Sequence, residues 1–439
     1  MDAHRQSRNE LRAMFVQRNR GSNAPRLTAV SVKPGLRRSA LGLVAFVGTS
    51  LLLWRLFQDR APDLTVYLAG ADALLEGKPL YDSVAVQAGP LVLPFTYPPF
   101  AAVLMIPFAL LPFSVTVMIW AVLSLLSLVG IAYVIAKRLP ALAGVTPTGW
   151  TTWDIALAIY AVSSISEPVL QNFDVGQVNL FIVLAVLYDT VSRTHYRGFL
   201  TGLAAGLKVT PGLFMIYMLV TRRWGDFGRS LLGFGTTLVI GSFYGIDNVW
   251  RFWTHELFAT DRVGDAHRYS NLGLNGVLIR AMPDEAAKIV WAVLAVIAVV
   301  GIVWIASVWW TRSRLVAASL VGMATVLVSP ISWPHHWIWL IPAIGSAIAL
   351  AIRAFRTQHS GIGWLLVVAC AATLLPALLQ LRFYWLERVI ADGWPGAKAI
   401  GAVYSVVGVL IVVALAVSVR LFPKGESANN DDSDRLEAA

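Results

Sequence analysis

Long apolar runs alternate with short polar segments along most of the chain. An apolar run of about 18 or more residues is long enough for a helix to cross a hydrocarbon core of about 30 Å. The pattern therefore predicts an all-α polytopic membrane protein of about twelve transmembrane helices, since a membrane β-barrel shows short alternating segments instead. The predicted spans are 39–56, 100–111, 114–136, 153–166, 180–191, 198–220, one ending near 244, 289–309, 315–328, 338–351, 363–379 and 400–419.

The composition agrees with a chain embedded mostly in lipid. Of its 439 residues, 57% are hydrophobic and only 14% are charged, whereas soluble domains carry about 25% charged residues. The single cysteine, Cys370, lies in an apolar run and excludes an internal disulfide.

Both ends of the chain are polar and flank the transmembrane domain, 39–420. The arm 1–38 contains nine Lys/Arg against Asp2 and Glu10, and it lacks the apolar region and cleavage site of a signal peptide. We expect it to be a disordered cytoplasmic arm that lies against anionic membrane lipids. Nucleic-acid binding is disfavoured because no nucleic-acid module is recognisable. The segment 421–439 is expected to be a disordered cytoplasmic tail.

The distribution of cations gives an orientation in the cell membrane. With the N-terminus in the cytoplasm, the inner segments contain 19 Lys/Arg and the outer segments 14, as the positive-inside rule requires. This threading places both termini in the cytoplasm and the loops around Asp63, 246–288 and His335 on the external face. Three cationic segments fit poorly on that outer face: Lys137-Arg138, Arg193 with Arg197, and Arg382 with Arg388 and Lys398.

The polar stretch 61–82 follows the first predicted span, and Asp63 is the centre of our candidate site. A carboxylate at the membrane surface is partly desolvated, which shifts its pKa towards neutral pH and suits a general base. The alternative is a helix cap or a solvated loop charge. Rival carboxylates in the same loop are Asp72, Glu76 and Asp82.

Lys208 lies inside the predicted span 198–220. Such a charge costs about 2.5–3.5 kcal/mol to insert and usually lines a polar cavity. It is a candidate contact for a lipid phosphate, and a structural ion pair is the alternative. His335 and His336, on a proline-broken turn, are candidate donors to a phosphate or a sugar, with a structural role as the alternative. We expect no metal site, because no further ligands stand at suitable spacing.

Other polar residues are weaker candidates. Tyr97, Arg268, Asn271 and Asn275 are candidates for the acceptor site or a cavity wall. The second polar cluster (Glu167, Asp174, Gln177 and Asn179) is either a cavity lining or a solvated loop, and the threading places it on the inner face, away from the site.

Several motifs at ordered spacing resemble glycosyltransferase family 87 of the glycosyltransferase-C superfamily. These are actinobacterial α-(1→2)-mannosyltransferases that use polyprenyl-phosphate-mannose, and some of them elongate phosphatidylinositol mannosides. The motifs, within residues 40–420, are DLTVYLAGADALLEGKPLYD, FTYPPFAAVL, GQVNL, GLAAGLKVTPGLF, TRRW, NLGLNGVL and SPISWPHHWIWL.

The resemblance implies a glycosyltransferase-C bundle with a lipid-linked donor, a glycolipid acceptor and no cofactor. It implies that Asp63 is the general base of the first external loop and that His335 or His336 is the family's functional histidine. It also implies that Lys208 lies near the donor phosphate. The competing function is a transporter or flippase of a lipid-linked sugar, although transporters place key charges near the bilayer midplane and only Lys208 clearly does so.

Overall fold

A computed structural model describes residues 34–58, 61–89, 91–379, 397–423 and 425–428. Most of the predicted arm and tail, and two members of the cationic segment 382–398, lie outside these ranges. The chain forms two compact units, 1–40 and 41–439. The described part of the first unit, 34–40, is the helical beginning of α1.

Helices make up nearly all of the regular structure. In chain order they are α1 Pro34–Gln58, α2 Pro62–Leu75, α3 Leu80–Ser83, α4 Pro99–Ala109, α5 Phe113–Ala136, α6 Leu139–Ala143, α7 Thr152–Ser164, α8 Glu167–Val175, α9 Asn179–Val191, α10 Phe199–Leu207, α11 Gly212–Val220, α12 Trp224–Ser242, α13 Ile246–Thr254, α14 Leu274–Ile279, α15 Asp284–Trp310, α16 Arg314–Val328, α17 Leu340–Arg356, α18 Ser360–Leu379 and α19 Ala397–Val417. Short 3₁₀ helices occur at Glu256–Phe258, Thr260–Val263, Pro334–Trp339 and Ser418–Leu421.

Six helical segments of the described chain are long and apolar enough to cross a membrane, and a seventh is added if α7 and α8 count as one span bent by 67°. The protein is thus a multi-pass membrane protein. The six are Pro34–Phe57, Phe113–Ala143, Asp284–Trp310, Pro334–Arg356, Ser360–Leu379 and Gly401–Leu421.

Within the described ranges, a small antiparallel hairpin is the exception to the helical architecture. Strands β1 (Ala85–Ala88) and β2 (Leu91–Pro94) pair with Ala85 opposite Pro94. The hairpin lies between α3 and α4, in the segment predicted as the first external loop.

The prediction of one continuous helix over 198–220 is wrong. The residues that flank this segment on both sides contact the same carboxylate, so the chain turns back within it. Arg197 Nε lies 3.0 Å from Asp226, α10 then runs to Lys208, and α11 leads back to Arg223, whose Nη2 lies 2.7 Å from Asp226. Lys208 therefore lies at the apex of a helical hairpin rather than in the middle of a helix. A hydropathy pattern does not distinguish these arrangements, since both are apolar on either side of the lysine.

Close packing against α12 holds the first arm of this hairpin. A Cβ atom added to Gly202 would lie 2.0 Å from the carbonyl oxygen of Ser230, so a larger residue there would force the two helices apart. The small residues of the GLAAGL motif are explained by this contact between α10 and α12.

The structure also corrects the threading of the cationic loops. Arg138 Nη2 donates to the Val191 carbonyl at 3.2 Å, and Arg197 pairs with Asp226. Lys137-Arg138 and Arg193 with Arg197 therefore lie at the same end of the bundle as Arg223, not at the end of Asp63. The predicted threading assumed that every apolar run crosses the membrane. It failed because the chain does not change sides at the α10–α11 hairpin or at the bend between α7 and α8, as it does in a full span.

Candidate active site

Asp63 lies in the first turn of α2, close to the end of α1. Pro62 occupies the first helical position, where its missing N–H group has no intrahelical partner to lose. The preceding residue, Ala61, is fully buried and has φ 44° and ψ 65°, a left-handed conformation that is uncommon for alanine. The carboxylate is half-buried and is presented at the helix N-terminus.

A tight turn between α8 and α9 brings Gln177 against this helix start. Gly176 has φ 70°, and a Cβ atom there would lie 2.8 Å from the Leu64 Cβ and 2.9 Å from the Ala61 Cβ. Only glycine meets both demands. The turn directs the Gln177 side chain at Asp63, and its Nε2 donates to Asp63 Oδ2.

Two tyrosines complete the surroundings of Gln177. Its Nε2 also donates to the Tyr97 hydroxyl at 2.9 Å, and its Oε1 accepts from the Tyr67 hydroxyl at 2.9 Å. The two hydroxyls are 3.1 Å apart. Because both ends of the amide are hydrogen-bonded, its orientation is fixed, and so is the side of Asp63 that it contacts.

Lys208 joins the same network from the apex of the α10–α11 hairpin. Its Nζ donates to Asn179 Oδ1 at 3.0 Å and to Gln177 Oε1 at 3.3 Å. One amide group therefore connects Lys208 to Asp63. An ammonium group has three donors, and the remaining one is directed towards His336, whose Nε2 lies 3.3 Å away.

The two histidines differ in their contacts. His336 Nδ1 accepts from the Trp333 backbone N–H at 3.2 Å, so its neutral imidazole carries the proton on Nε2. His336 Nε2 and the Lys208 ammonium are then both donors and cannot satisfy each other. Two N–H donors therefore lie side by side, 3.3 Å apart.

His335 is buried beside His336, with ring centroids 4.6 Å apart. Its carbonyl oxygen accepts from Asn179 Nδ2 at 2.8 Å, which anchors the turn to α9. Within the described residues, His335 Nε2 has no hydrogen-bond partner.

The environment of Asp63 suits proton acceptance. Burial raises the pKa of Asp63 from its ordinary 3.8 to about 6, while the Gln177 hydrogen bond and the nearby Lys208 charge act in the opposite direction. A base is most useful when its pKa lies near the working pH. Asp63 is thus ionised at neutral pH but remains a competent proton acceptor.

An apolar cavity of about 220 Å³ adjoins the polar network. Tyr67 and Tyr97, which belong to the polar network, also line the cavity, and its outer wall includes Leu104 and Leu123, which are 46% and 38% exposed on the bundle surface. The cavity thus connects the polar site to the surface that faces lipid. Its remaining lining comes from Ala101, Met105, Phe108, Trp120, Val178, Phe181 and Leu207.

The rival carboxylates of the same loop lie on the surface. Asp72, Glu76 and Asp82 are all exposed. Asp82 accepts from both terminal nitrogens of Arg251, at 2.5 and 2.7 Å, and this contact holds the pKa of Asp82 below its usual range. Asp63 is the carboxylate of this group that contacts Gln177.

The predicted acceptor residues of the 246–288 loop include two amides that contact the backbone. Asn271 donates to the carbonyls of Ala266 and Pro330, both at 3.1 Å, and accepts from the Ser332 N–H at 3.0 Å. Asn275 also donates to Pro330, at 2.9 Å. These amides hold the segment before the histidines in place.

Arg268 is half-buried in the same loop. Its carbonyl oxygen accepts from Arg280 at 2.8 Å. Among the contacts of the described chain, none joins its side chain to Asp63, Lys208 or the histidines. Tyr97 is the member of the predicted acceptor group that lies in the site.

The expectation that the second polar cluster lies away from the site is wrong for two of its members. Gln177 and Asn179 contact Asp63 and Lys208, and they are the functional candidates, with Tyr67, that the sequence analysis missed. The GQVNL motif was the available signal. The other two members have structural partners: Asp174 pairs with Arg55 at 2.9 Å, and Glu167 accepts from the Tyr404 hydroxyl at 2.8 Å.

Part of this site lies in a segment of the chain that matches a known protein family. A family model described as glycosyltransferase family 87 matches residues 95–330, which include Tyr97, Gln177 and Lys208. The chain belongs to glycosyltransferase family 87. Asp63 and the two histidines lie outside the matched range, so their assignment depends on the contacts described above.

Two mycobacterial relatives extend the family 87 match over most of the chain. The chain is 30% identical over 401 residues to a polyprenol-phosphate-mannose-dependent alpha-(1-2)-phosphatidylinositol mannoside mannosyltransferase of Mycobacterium tuberculosis, covering 88% of this chain and 92% of that protein. It is 34% identical over 359 residues to a polyprenol-phosphate-mannose-dependent alpha-(1-2)-phosphatidylinositol pentamannoside mannosyltransferase of Mycolicibacterium smegmatis, covering 79% and 84%.

Proposed function

We propose that this protein transfers mannose from polyprenyl-phosphate-mannose to a phosphatidylinositol mannoside, forming an α-(1→2) linkage with inversion. The observation that carries the proposal is the Gln177 amide, which joins a carboxylate to a cationic site beside an apolar cavity. The names of the relatives supply the sugar, the linkage and the two lipids. No nucleotide sugar is needed in this proposal, because the lipid-linked donor carries its own phosphate leaving group.

Asp63 acts as the general base in this proposal. The acceptor hydroxyl attacks the anomeric carbon as its proton passes to the Asp63 carboxylate. A new carbon–oxygen bond forms while the bond to the phosphate oxygen breaks, and its electron pair leaves with polyprenyl phosphate. General-base assistance of this kind contributes about 10²–10⁴-fold.

Lys208 and His336 hold the donor phosphate in this proposal. Their donor nitrogens lie 3.3 Å apart, and preformed donors stabilise the charge that develops on a leaving phosphate. Asn179 and Gln177 fix the ammonium in position.

The apolar cavity accepts the first part of the polyprenyl chain. A cavity of about 150 Å³ accommodates benzene, so the 220 Å³ found here accommodates roughly two five-carbon isoprene units on the same scale. The rest of the chain would leave past Leu104 and Leu123 into lipid.

We propose that the site opens on the external face and that both termini are cytoplasmic. Support comes from the arginines that collect at the other end of the bundle, including the Arg138, Arg193 and Arg197 segments that fitted poorly before. In this arrangement the shorter helices complete about twelve membrane-embedded segments. A cysteine introduced at the exposed Ser83 should react only with a reagent added outside the cell, and labelling only from inside would overturn the orientation.

Activity of the purified protein tests the proposed function. Protein in detergent, given polyprenyl-phosphate-mannose and a phosphatidylinositol mannoside, should release polyprenyl phosphate and extend the acceptor by one mannose. A transporter or flippase needs two compartments and would give no product in detergent. Lipid mass spectrometry of a gene-deleted strain identifies the acceptor as the truncated glycolipid that accumulates, and an unchanged glycolipid profile would contradict the proposal.

A further inference from the structure

Helix α13 lies at the same end of the bundle as Asp63 and packs inwards with one face. Phe252, which is 2% exposed, stacks on Tyr81 with the ring centroids 6.0 Å apart. The Tyr81 hydroxyl in turn donates to the Tyr97 carbonyl oxygen at 3.0 Å. Two successive contacts therefore connect α13 to the candidate site, although none of its residues has a role in the transfer chemistry proposed above.

Further contacts fix the rotation of α13 about its own axis. Arg251 donates to Asp82 through both terminal nitrogens and to Glu256 through Nε, which lies 2.7 Å from the carboxylate. On the side that faces α12, the Trp253 ring packs edge to face on Phe234 with the centroids 4.9 Å apart. These contacts determine which residues of α13 point outwards.

The outward face of α13 is divided lengthwise into an apolar edge and a polar edge. Ile246 and Trp250 are 63% and 72% exposed and lie about 40° apart around the helix axis. Asp247 and Thr254 are also exposed, and they lie about 100° and 80° round from Ile246. A helix with adjacent apolar and polar edges suits the plane where a bilayer meets water.

The apolar edge continues an exposed apolar surface of the preceding helix. Leu232 and Val239 of α12 are exposed, and so is Phe243, which directly follows that helix. On a multi-pass membrane protein such a surface faces acyl chains. Only two residues separate Phe243 from Ile246, so the lipid that covers α12 extends to the apolar edge of α13.

We propose that α13 is an interfacial helix of the leaflet at the Asp63 end of the bundle. Its apolar edge lies in the boundary between lipid head groups and acyl chains, and its polar edge lies in water. Trp250 is the main anchor, because an indole joins a large apolar ring to an N–H donor and is enriched at this depth. Through Phe252 and Tyr81, the helix fixes the depth of the site relative to the lipids. The placement does not depend on the proposed transferase activity.

Site-directed spin labelling of the full-length protein in phosphatidylcholine vesicles tests this placement. The single native cysteine, Cys370, is buried, so each label can be introduced alone in a Cys370→Ala background. Oxygen concentrates in the bilayer whereas the chelate Ni-EDDA stays in water, and the ratio of their collision rates with the label measures depth. Labels at Ile246→Cys and Trp250→Cys should lie about 5–10 Å into the boundary. A label at Thr254→Cys should report water.

Two further positions calibrate the measurement. Val300→Cys is at an exposed residue of the long apolar helix α15 and should report acyl chains. Ser83→Cys, at an exposed residue of α3, should report water. The labelled positions are all exposed, so the substitutions remove little packing. Should Cys370→Ala fail to fold, the native thiol can stay, because its burial shields it from the label.

Equal Ni-EDDA accessibility at Trp250→Cys, Ile246→Cys and Ser83→Cys would overturn the proposal. Low accessibility of the first two positions to both reagents would also overturn it, because protein rather than lipid would then cover this face, and dipolar broadening would identify a second copy of the chain. Values at Thr254→Cys that match those at Val300→Cys would place the whole helix inside the bilayer, which contradicts an interfacial position.

Discussion

The side-chain amide of Gln177 donates to the Asp63 carboxylate and accepts from the Lys208 ammonium at 3.3 Å. The proposed base and the proposed phosphate contact are therefore positioned by one group, which is itself fixed by Tyr67 and Tyr97. A displacement of the amide would affect both halves of the site.

Gln177→Ala should lower kcat by roughly 10-fold to 100-fold, in the range of misplaced catalytic groups. The Gln177 hydrogen bond lowers the pKa of Asp63, so its loss should raise that pKa and move the acidic limb of the pH–rate profile to higher pH. Gln87→Ala, on strand β1, is the control and should retain wild-type kinetics. A fall in kcat without movement of the acidic limb would show that Gln177 does not act through Asp63.

Lys208→Ala should lower kcat/KM for the lipid donor by roughly tenfold or more. The loss of one charge-assisted contact costs about 1.5–3 kcal/mol, and each 1.36 kcal/mol in the barrier is tenfold in rate. The exposed Lys288, which pairs with Glu285 at 2.9 Å, provides the control Lys288→Ala. Unchanged kinetics in a folded Lys208→Ala variant would remove Lys208 from the donor site.

His336→Ala should impair the enzyme more than His335→Ala does, because His336 Nε2 faces Lys208 whereas His335 holds Asn179 through its backbone carbonyl. We expect a loss of roughly tenfold in kcat/KM for His336→Ala, as for one charge-assisted hydrogen bond. His336→Gln retains an N–H donor and should recover part of the activity. A larger loss in His335→Ala, at equal thermal stability, would assign the phosphate contact to His335.

The activity of the wild type should fall as the pH falls through about 6, since the pKa of Asp63 is raised to about 6 and only the ionised carboxylate accepts a proton. A profile of kcat/KM against pH measures the value for the free enzyme. An acidic limb near pH 4 would mean that Asp63 is as solvated as an ordinary carboxylate, and the desolvated base would be rejected.

The sequence was enough to single out Asp63 and Lys208 as candidates, but it did not predict the contacts that connect them. Asp63 stands out as an acid at the end of an apolar span, and Lys208 as a cation inside one. Both signals are local, because an isolated charge beside a long apolar run is unusual wherever the chain leads. The helical positions of α4, α5, α9 and α15 also agree closely with the apolar pattern.

Gln177 was assigned to the wrong end of the bundle because sidedness was counted by alternation. The α10–α11 hairpin returns to Asp226, and α7 and α8 meet at a 67° bend, so neither follows the rule that each apolar run changes sides. Hydropathy reports the depth of a residue in the membrane but not the direction of the chain. Long-range contacts such as Gln177 with Asp63 are needed to fix the latter.

The rate of Asp63→Asn tests the central claim most directly, because the amide keeps the shape of the side chain and removes its basicity. The raised pKa means that neutral Asp63 favours folding at low pH and that this contribution is lost as the pH rises through about 6. At pH 8 the variant should therefore melt no lower than wild type. We predict that it binds both lipids but loses more than about 99% of its turnover, whereas Asp82→Asn, at the exposed partner of Arg251, stays active. A folded Asp63→Asn enzyme with near wild-type turnover would contradict the assignment of Asp63 as the base.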